Sequence, residues 1–216
     1  MDTKLNFISK CTRELLSNGF SVLLHKKTNL DGYGGWFGAE EGEKEFVVAL
    51  DHHMGFETFV HEYCHYLQWK HDRDLWNKSM STYDILFDWI SFPSLKYSEN
   101  IKDCTYTDDQ IDQSLHDIIE LEHDCEKKAL KLLQNNPIEN VDLDKYIRAV
   151  NAYLFHYHIN RALRKRPKNP IYSENVLSHM PNIFNTNLNY YLDSGNITEP
   201  MRAALLQEYE NIQEPH

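Results

Sequence analysis

A chain of 216 residues with 41% hydrophobic residues is long enough to bury a core without leaning on disulfides. Its formal net charge of −11 argues against a nucleic-acid backbone as the main partner, because phosphate binding needs clustered positive charge. The four cysteines, Cys11, Cys64, Cys104 and Cys125, show no CxxC spacing and point to a reduced, cytoplasmic setting.

The first residues carry charges throughout and no apolar run with a cleavage site, so no secretory signal is expected, and no later run approaches a membrane span. From residue 4 to about 18, Leu5, Phe7, Ile8, Cys11, Leu15 and Leu16 recur at helical spacing until Asn18-Gly19 ends the pattern. Residues 20–24, 36–39 and 45–50 read as three strands, separated by the turn-rich DGYGG and the charged EEGEKE, and predict a small sheet with hairpin links. Residues 46–50 lead into the next helix and are expected at the sheet edge, where an extended substrate can add by backbone hydrogen bonds; a central position is the other reading.

From residue 56 to about 71 the period is helical. Phe56, Phe59, Val60, Tyr63, Tyr66 and Leu67 gather on one side, and His61 and His65 share the other with Thr58 and Gln68. Residues 72–106 are rich in aromatics without a clean period, apart from a short helix around 83–90, and read as an insertion or lid. Thr107 and Gln110 form a capping box that opens a helix to about residue 133, ended by Asn135-Asn136-Pro137. A further helix spans 143–164. Its end carries Arg161, Arg164, Lys165, Arg166 and Lys168, where cations favour the helix C-terminus. Residues 167–195 read as irregular, and 199–212 as a last amphipathic helix.

The helix at 56–71 contains His61-Glu62-Tyr63-Cys64-His65, an HExxH motif in a chain with 12 histidines, where chance matches are a real risk. Residues four apart on a helix share a face, so both imidazoles can reach one ion while Glu62 stands about 100° round, beside a metal-held water. The uncharged flanks at Phe59, Val60, Tyr63, Cys64, Tyr66 and Leu67 suit a buried metal helix rather than a solvated face. A Cys64–His65 dyad has poor geometry, because helix neighbours diverge.

Two histidines need a third ligand, and the helix from 107 supplies it. With Glu122 at zero on a wheel, Ile111, Leu115, Ile118, Cys125, Ala129 and Leu133 fall within about 60° of it. A carboxylate in the middle of an apolar stripe calls for a metal or cation; a protonated or salt-bridged core glutamate is the competing reading. His71 echoes another zinc pattern, HExxHxxGxxH, but Gln68 stands where that pattern needs glycine to turn the helix. His52 and His53 precede the motif helix as outer or surface residues. Tyr153, His156, Tyr157 and His158, in NAYLFHYHIN, are the candidates for a second-layer or transition-state-stabilising role, with core packing the ordinary reading for the tyrosines.

HEYCH followed by LEHDCEKKALKLL resembles the HExxH zinc peptidases of the gluzincin group, and most closely the ImmA/IrrE-type peptidases, over roughly residues 4–70 and 107–135. Glu122, Cys125, Ala129, Leu132 and Leu133 match the second-helix pattern; the long aromatic segment between the two motifs has no counterpart. The resemblance implies a cytoplasmic zinc peptidase that cuts a regulatory protein. The expectation is therefore one α+β zincin-like domain over 1–216. An N-terminal helix and a three-stranded sheet pack on the HExxH helix, an insertion follows at 72–106, and a helical extension fills 143–216. His61, His65 and Glu122 bind Zn²⁺, Glu62 is the general base, and the substrate is a protein or peptide. The alternative is a catalytically silent relative that sequesters a partner protein and keeps zinc as a structural pin.

Overall fold

In the computed structural model, which describes residues 3–30, 34–40, 42–91, 106–168 and 170–209, the chain is α+β: a small mixed sheet near the N-terminus and a mainly helical C-terminal half. Cys104 and residues 92–105 of the expected lid lie outside the described residues. The elements run α1 (Thr3–Ser17), β1 (Ser21–His25), β2 (Gly35–Glu40), β3 (Glu43–Ala49), α2 (Gly55–His71), α3 (Arg73–Met80), α4 (Tyr83–Ser91), α5 (Asp108–Asn135), α6 (Leu143–Leu163), α7 (Glu174–His179), α8 (Leu188–Leu192) and α9 (Glu199–Gln207). By its internal packing the chain divides into two compact units, Met1–Trp76 with Asp124–Val141, and Asn77–His123 with Asp142–His216.

In the first unit, α1 stops where Asn18-Gly19 predicts. Gly19 takes a left-handed φ of 81°, its N–H donates to Leu16 O, and the Phe20 N–H reaches back to Leu15 O, which satisfies the last carbonyls of the helix. The sheet order is β1-β3-β2, with β3 parallel to β1 and antiparallel to β2. The hairpin expectation therefore holds for β2–β3 and fails for β1–β3. The edge expectation for β3 is also corrected: it is the central strand, and both of its sides are already paired. Phe46, Val47, Val48 and Ala49 are fully buried, as suits a strand flanked on both sides.

α2 starts directly after β3. A Cβ on Gly55 would stand 2.7 Å from Ala49 O and closer still to Leu50 O, so only glycine lets the helix begin so near the strand end. Its apolar face closes the core with Cys11 and Leu15 of α1, Phe20, Phe46 and Val48. The Phe46 and Phe59 rings meet edge to face at 5.1 Å. Glu14 of α1 adds a polar tie, accepting from Tyr63 Oη at 2.7 Å, Lys70 Nζ at 2.9 Å and Tyr66 Oη at 3.2 Å.

In the second unit, the Thr107 capping box forms as read: the Gln110 N–H donates to Thr107 Oγ1 at 3.2 Å, and the Thr107 N–H donates to Gln110 Oε1 at 2.9 Å. Asp142 caps α6 by accepting from the Lys145 N–H. The stretch 167–195, expected to be irregular, contains α7 and α8. Each has six residues or fewer, too few for a period to show. Asn151 of α6 pins this stretch by donating to Pro181 O and Ile183 O. No described helix is long and apolar enough to cross a membrane.

Candidate metal centre

The helical repeat of α2 brings His61 and His65 together, with ring planes 88° apart and Nε2 atoms 3.1 Å apart. Each Nδ1 is engaged on the far side. His61 Nδ1 meets Glu126 Oε1 of α5 at 2.8 Å, and His65 Nδ1 meets Gln68 Oε1 at 2.8 Å. Gln68, fully buried, donates through Nε2 to Asp124 Oδ2 at 2.8 Å. Lys128, one turn further along α5, pairs with the same carboxylate.

These contacts determine where the ring protons sit. An ionised carboxylate only accepts, so Glu126 makes His61 Nδ1 a donor. Asp124 likewise takes the Gln68 amide nitrogen, which turns the amide oxygen toward His65 and makes that Nδ1 a donor too. A neutral imidazole protonated at Nδ1 presents a lone pair at Nε2. The two Nε2 atoms, 3.1 Å apart, call for a cation between them, which a shared proton or a metal ion supplies.

α5 is continuous through residues 122–126, so Glu122 stands one turn before Cys125 and Glu126. One ligand atom from each of His61, His65, Glu122 and Cys125 lies within 4.8 Å of all the others, and this group can hold a metal ion. Cys125 Sγ stands 3.3 Å from the carbonyl oxygen of His61 and 3.7 Å from its Nδ1. The thiol therefore donates to the His61 carbonyl, with the Nδ1 side of that ring beside it. Two imidazole nitrogens and a carboxylate suit a borderline-soft divalent ion such as Zn²⁺.

No family model, curated protein or solved structure matches this chain. Glu62 is buried on α2 next to His61, whereas His71 is exposed at the last residue of that helix. The His52 and His53 rings lie against each other, 4.1 Å between centroids, just before α2.

Within the second unit, aromatic side chains of α6 lie within reach of the Glu122 charge. Tyr157 Oη donates to Tyr153 Oη at 2.8 Å, and burial, then the Glu122 charge, pushes both phenols well above their ordinary pKa. Burial pushes His156 down to about 4, against the opposing pull of its hydrogen bond to Tyr153 O and of the Glu122 charge. His158 points elsewhere: its Nε2 meets Tyr191 O at 2.7 Å, and its charged neighbours are Arg202 and Asp193. The Glu122 charge thus acts on Tyr153, His156 and Tyr157, whereas His158 answers to Arg202 and Asp193.

Sequence reasoning missed Gln68, Asp124 and Glu126 as partners of the imidazoles, and Trp76, whose ring centroid lies 6.2 Å from that of His65. A signal existed for two of them: Gln68 shares the imidazole face, and Glu126 follows Glu122 by one turn. A second group, His116, Asp117 and Glu120, also has ligand spacing. Lys78 already supplies its cation, with Nζ 3.1 Å from Asp117 and 2.5 Å from Glu120.

Proposed function

We propose that this chain is a zinc-dependent peptidase acting on a protein or peptide substrate, in line with the gluzincin-like pattern of its two motifs. The observation that carries the reading is the convergence of the two Nε2 atoms, 3.1 Å apart, with each Nδ1 turned to an oxygen on the other side of its ring. His61, His65 and Glu122 hold the metal. When bound, Zn²⁺ supplies Lewis acidity, polarising a carbonyl and lowering the pKa of water to about 7.

The chain's own groups move the protons. Glu62, about 100° round α2 from His61, takes a proton from the attacking water as the new C–O bond forms. It then passes that proton to the amine nitrogen as the C–N bond breaks. Tyr153 and Tyr157, kept neutral beside Glu122, remain donors across the working pH range and suit the stabilisation of developing oxygen charge.

One observation favours a second reading: Cys125 as a fourth protein ligand would close the site and make the metal structural, in a protein that binds rather than cuts its partner. The thiol's bond to the His61 carbonyl weighs against it. The test is hydrolysis of a diverse peptide library by the zinc-loaded protein and by Glu62→Gln. Cleavage by the wild type, reduced roughly 10²–10⁴-fold in a variant that keeps its zinc, supports the peptidase. A zinc-loaded wild type that cleaves nothing, or a variant as active as wild type, contradicts it.

A further inference from the structure

We infer that Gln68 and Asp124 form a positioning relay that selects the metal-binding tautomer of His65. The inference rests on the metal reading of the site and adds two residues to it that touch neither metal nor substrate.

An isolated neutral imidazole exchanges its proton between the two nitrogens, and only the form protonated at Nδ1 can ligate through Nε2. A glutamine alone does not choose between them, because its amide can present either its oxygen or its NH₂ to Nδ1. Asp124 removes that ambiguity. Its carboxylate, 2.8 Å from Gln68 Nε2, accepts and cannot donate, so the amide is locked with its oxygen toward His65. Lys128 pairs with the same carboxylate and holds it in place. Burial sharpens the choice: Gln68 is fully buried and His65 is 8% exposed, so a flipped amide would face Asp124 oxygen to oxygen with little water to screen it. The relay crosses once from α2 to α5 within the first unit, which couples the packing of the two helices to the protonation of a ligand.

The inference makes a distinctive claim: removing Asp124 weakens metal binding although Gln68 and every ligand remain. The test uses the full-length protein in two readouts. In the metal-free state, long-range ¹H–¹⁵N correlation of the histidine rings reports the His65 tautomer directly, whether or not the protein binds zinc. In the second, zinc affinity is measured by chelator competition.

The expected result is a pure Nδ1–H tautomer in wild type. Gln68→Met and Asp124→Leu should show a mixture of tautomers, with zinc affinity lowered about 10–100-fold. In Asp124→Asn, the carboxamide can donate as well as accept, so both readouts should fall between wild type and Asp124→Leu. Far-UV circular dichroism of each variant checks that the fold persists. An Nε2–H tautomer in wild-type His65, or an Asp124→Leu variant that keeps wild-type tautomer and affinity, overturns the relay. If the wild type shows the Nδ1–H tautomer but binds no zinc, the relay stands and the metallopeptidase reading falls.

Discussion

Glu62 and the three ligands can be separated by substitution, because on the proposed reading only the ligands hold the metal. His61→Ala removes a nitrogen from the converging pair and should lower zinc affinity at least 100-fold, abolishing hydrolysis as a consequence. Chelator competition beside a turnover assay checks both effects, and undiminished affinity would remove His61 from the ligand set. At this scale much of the site was legible. Spacing of four on a helix dictates a shared face for His61 and His65, and a lone carboxylate amid Ile118, Cys125 and Ala129 marked Glu122. The outer layer was not, because whether Glu126 reaches His61 depends on how closely α2 and α5 pack. Sequence spacing within one helix carries no information on that distance.

Helix ends and helix starts decide where α2 and α5 sit. Gly55 is the tightest such point, with the end of β3 passing where a side chain would be. Gly55→Ala should destabilise the fold by about 1–3 kcal/mol, measured by urea unfolding, because the start of α2 must move away from β3. An unchanged midpoint would mean that the strand end yields freely. Thr107→Ala removes one arm of the capping box of α5 and should cost about 1 kcal/mol in the same assay. The long elements were legible because their apolar periods and caps repeat over several turns. α7 and α8 were not, because one or two turns show no period, and their placement depends on tertiary contacts such as those from Asn151. The central position of β3 was also hidden: its parallel pairing with β1 joins strands about 20 residues apart, and no local turn announces it.

Over the whole molecule, stability should fall in acid in two stages. Burial depresses the pKa of His158, so the folded state keeps it neutral while the unfolded chain takes up a proton below about 6.5. Its contribution is therefore complete above that pH and is lost as pH falls through the depressed value. For Glu14, burial raises the pKa, but hydrogen bonds from Tyr63, Lys70 and Tyr66 and the Lys70 charge together outweigh it and lower the pKa below 4.5. That contribution is present above 4.5 and is lost at still lower pH. Urea unfolding between pH 7 and 3 should show both stages, with Glu14→Gln diminishing the lower one, which Asp117 shares, and His158→Gln diminishing the upper one, which His156 shares. The α+β class, the N-terminal sheet and the helical C-terminal half were legible from where the hydrophobic period changes from two to 3.6. The division into two units was not, because each is built from two separate stretches of the chain, and one boundary falls inside the unbroken α5. The central claim, a metal held by His61, His65 and Glu122, is tested most directly by metal stoichiometry from inductively coupled plasma mass spectrometry on wild type, Glu122→Ala and Cys125→Ala. The prediction is one zinc per chain in wild type and in Cys125→Ala, with sharp loss in Glu122→Ala; a metal-free wild type, or loss in Cys125→Ala with retention in Glu122→Ala, would contradict it.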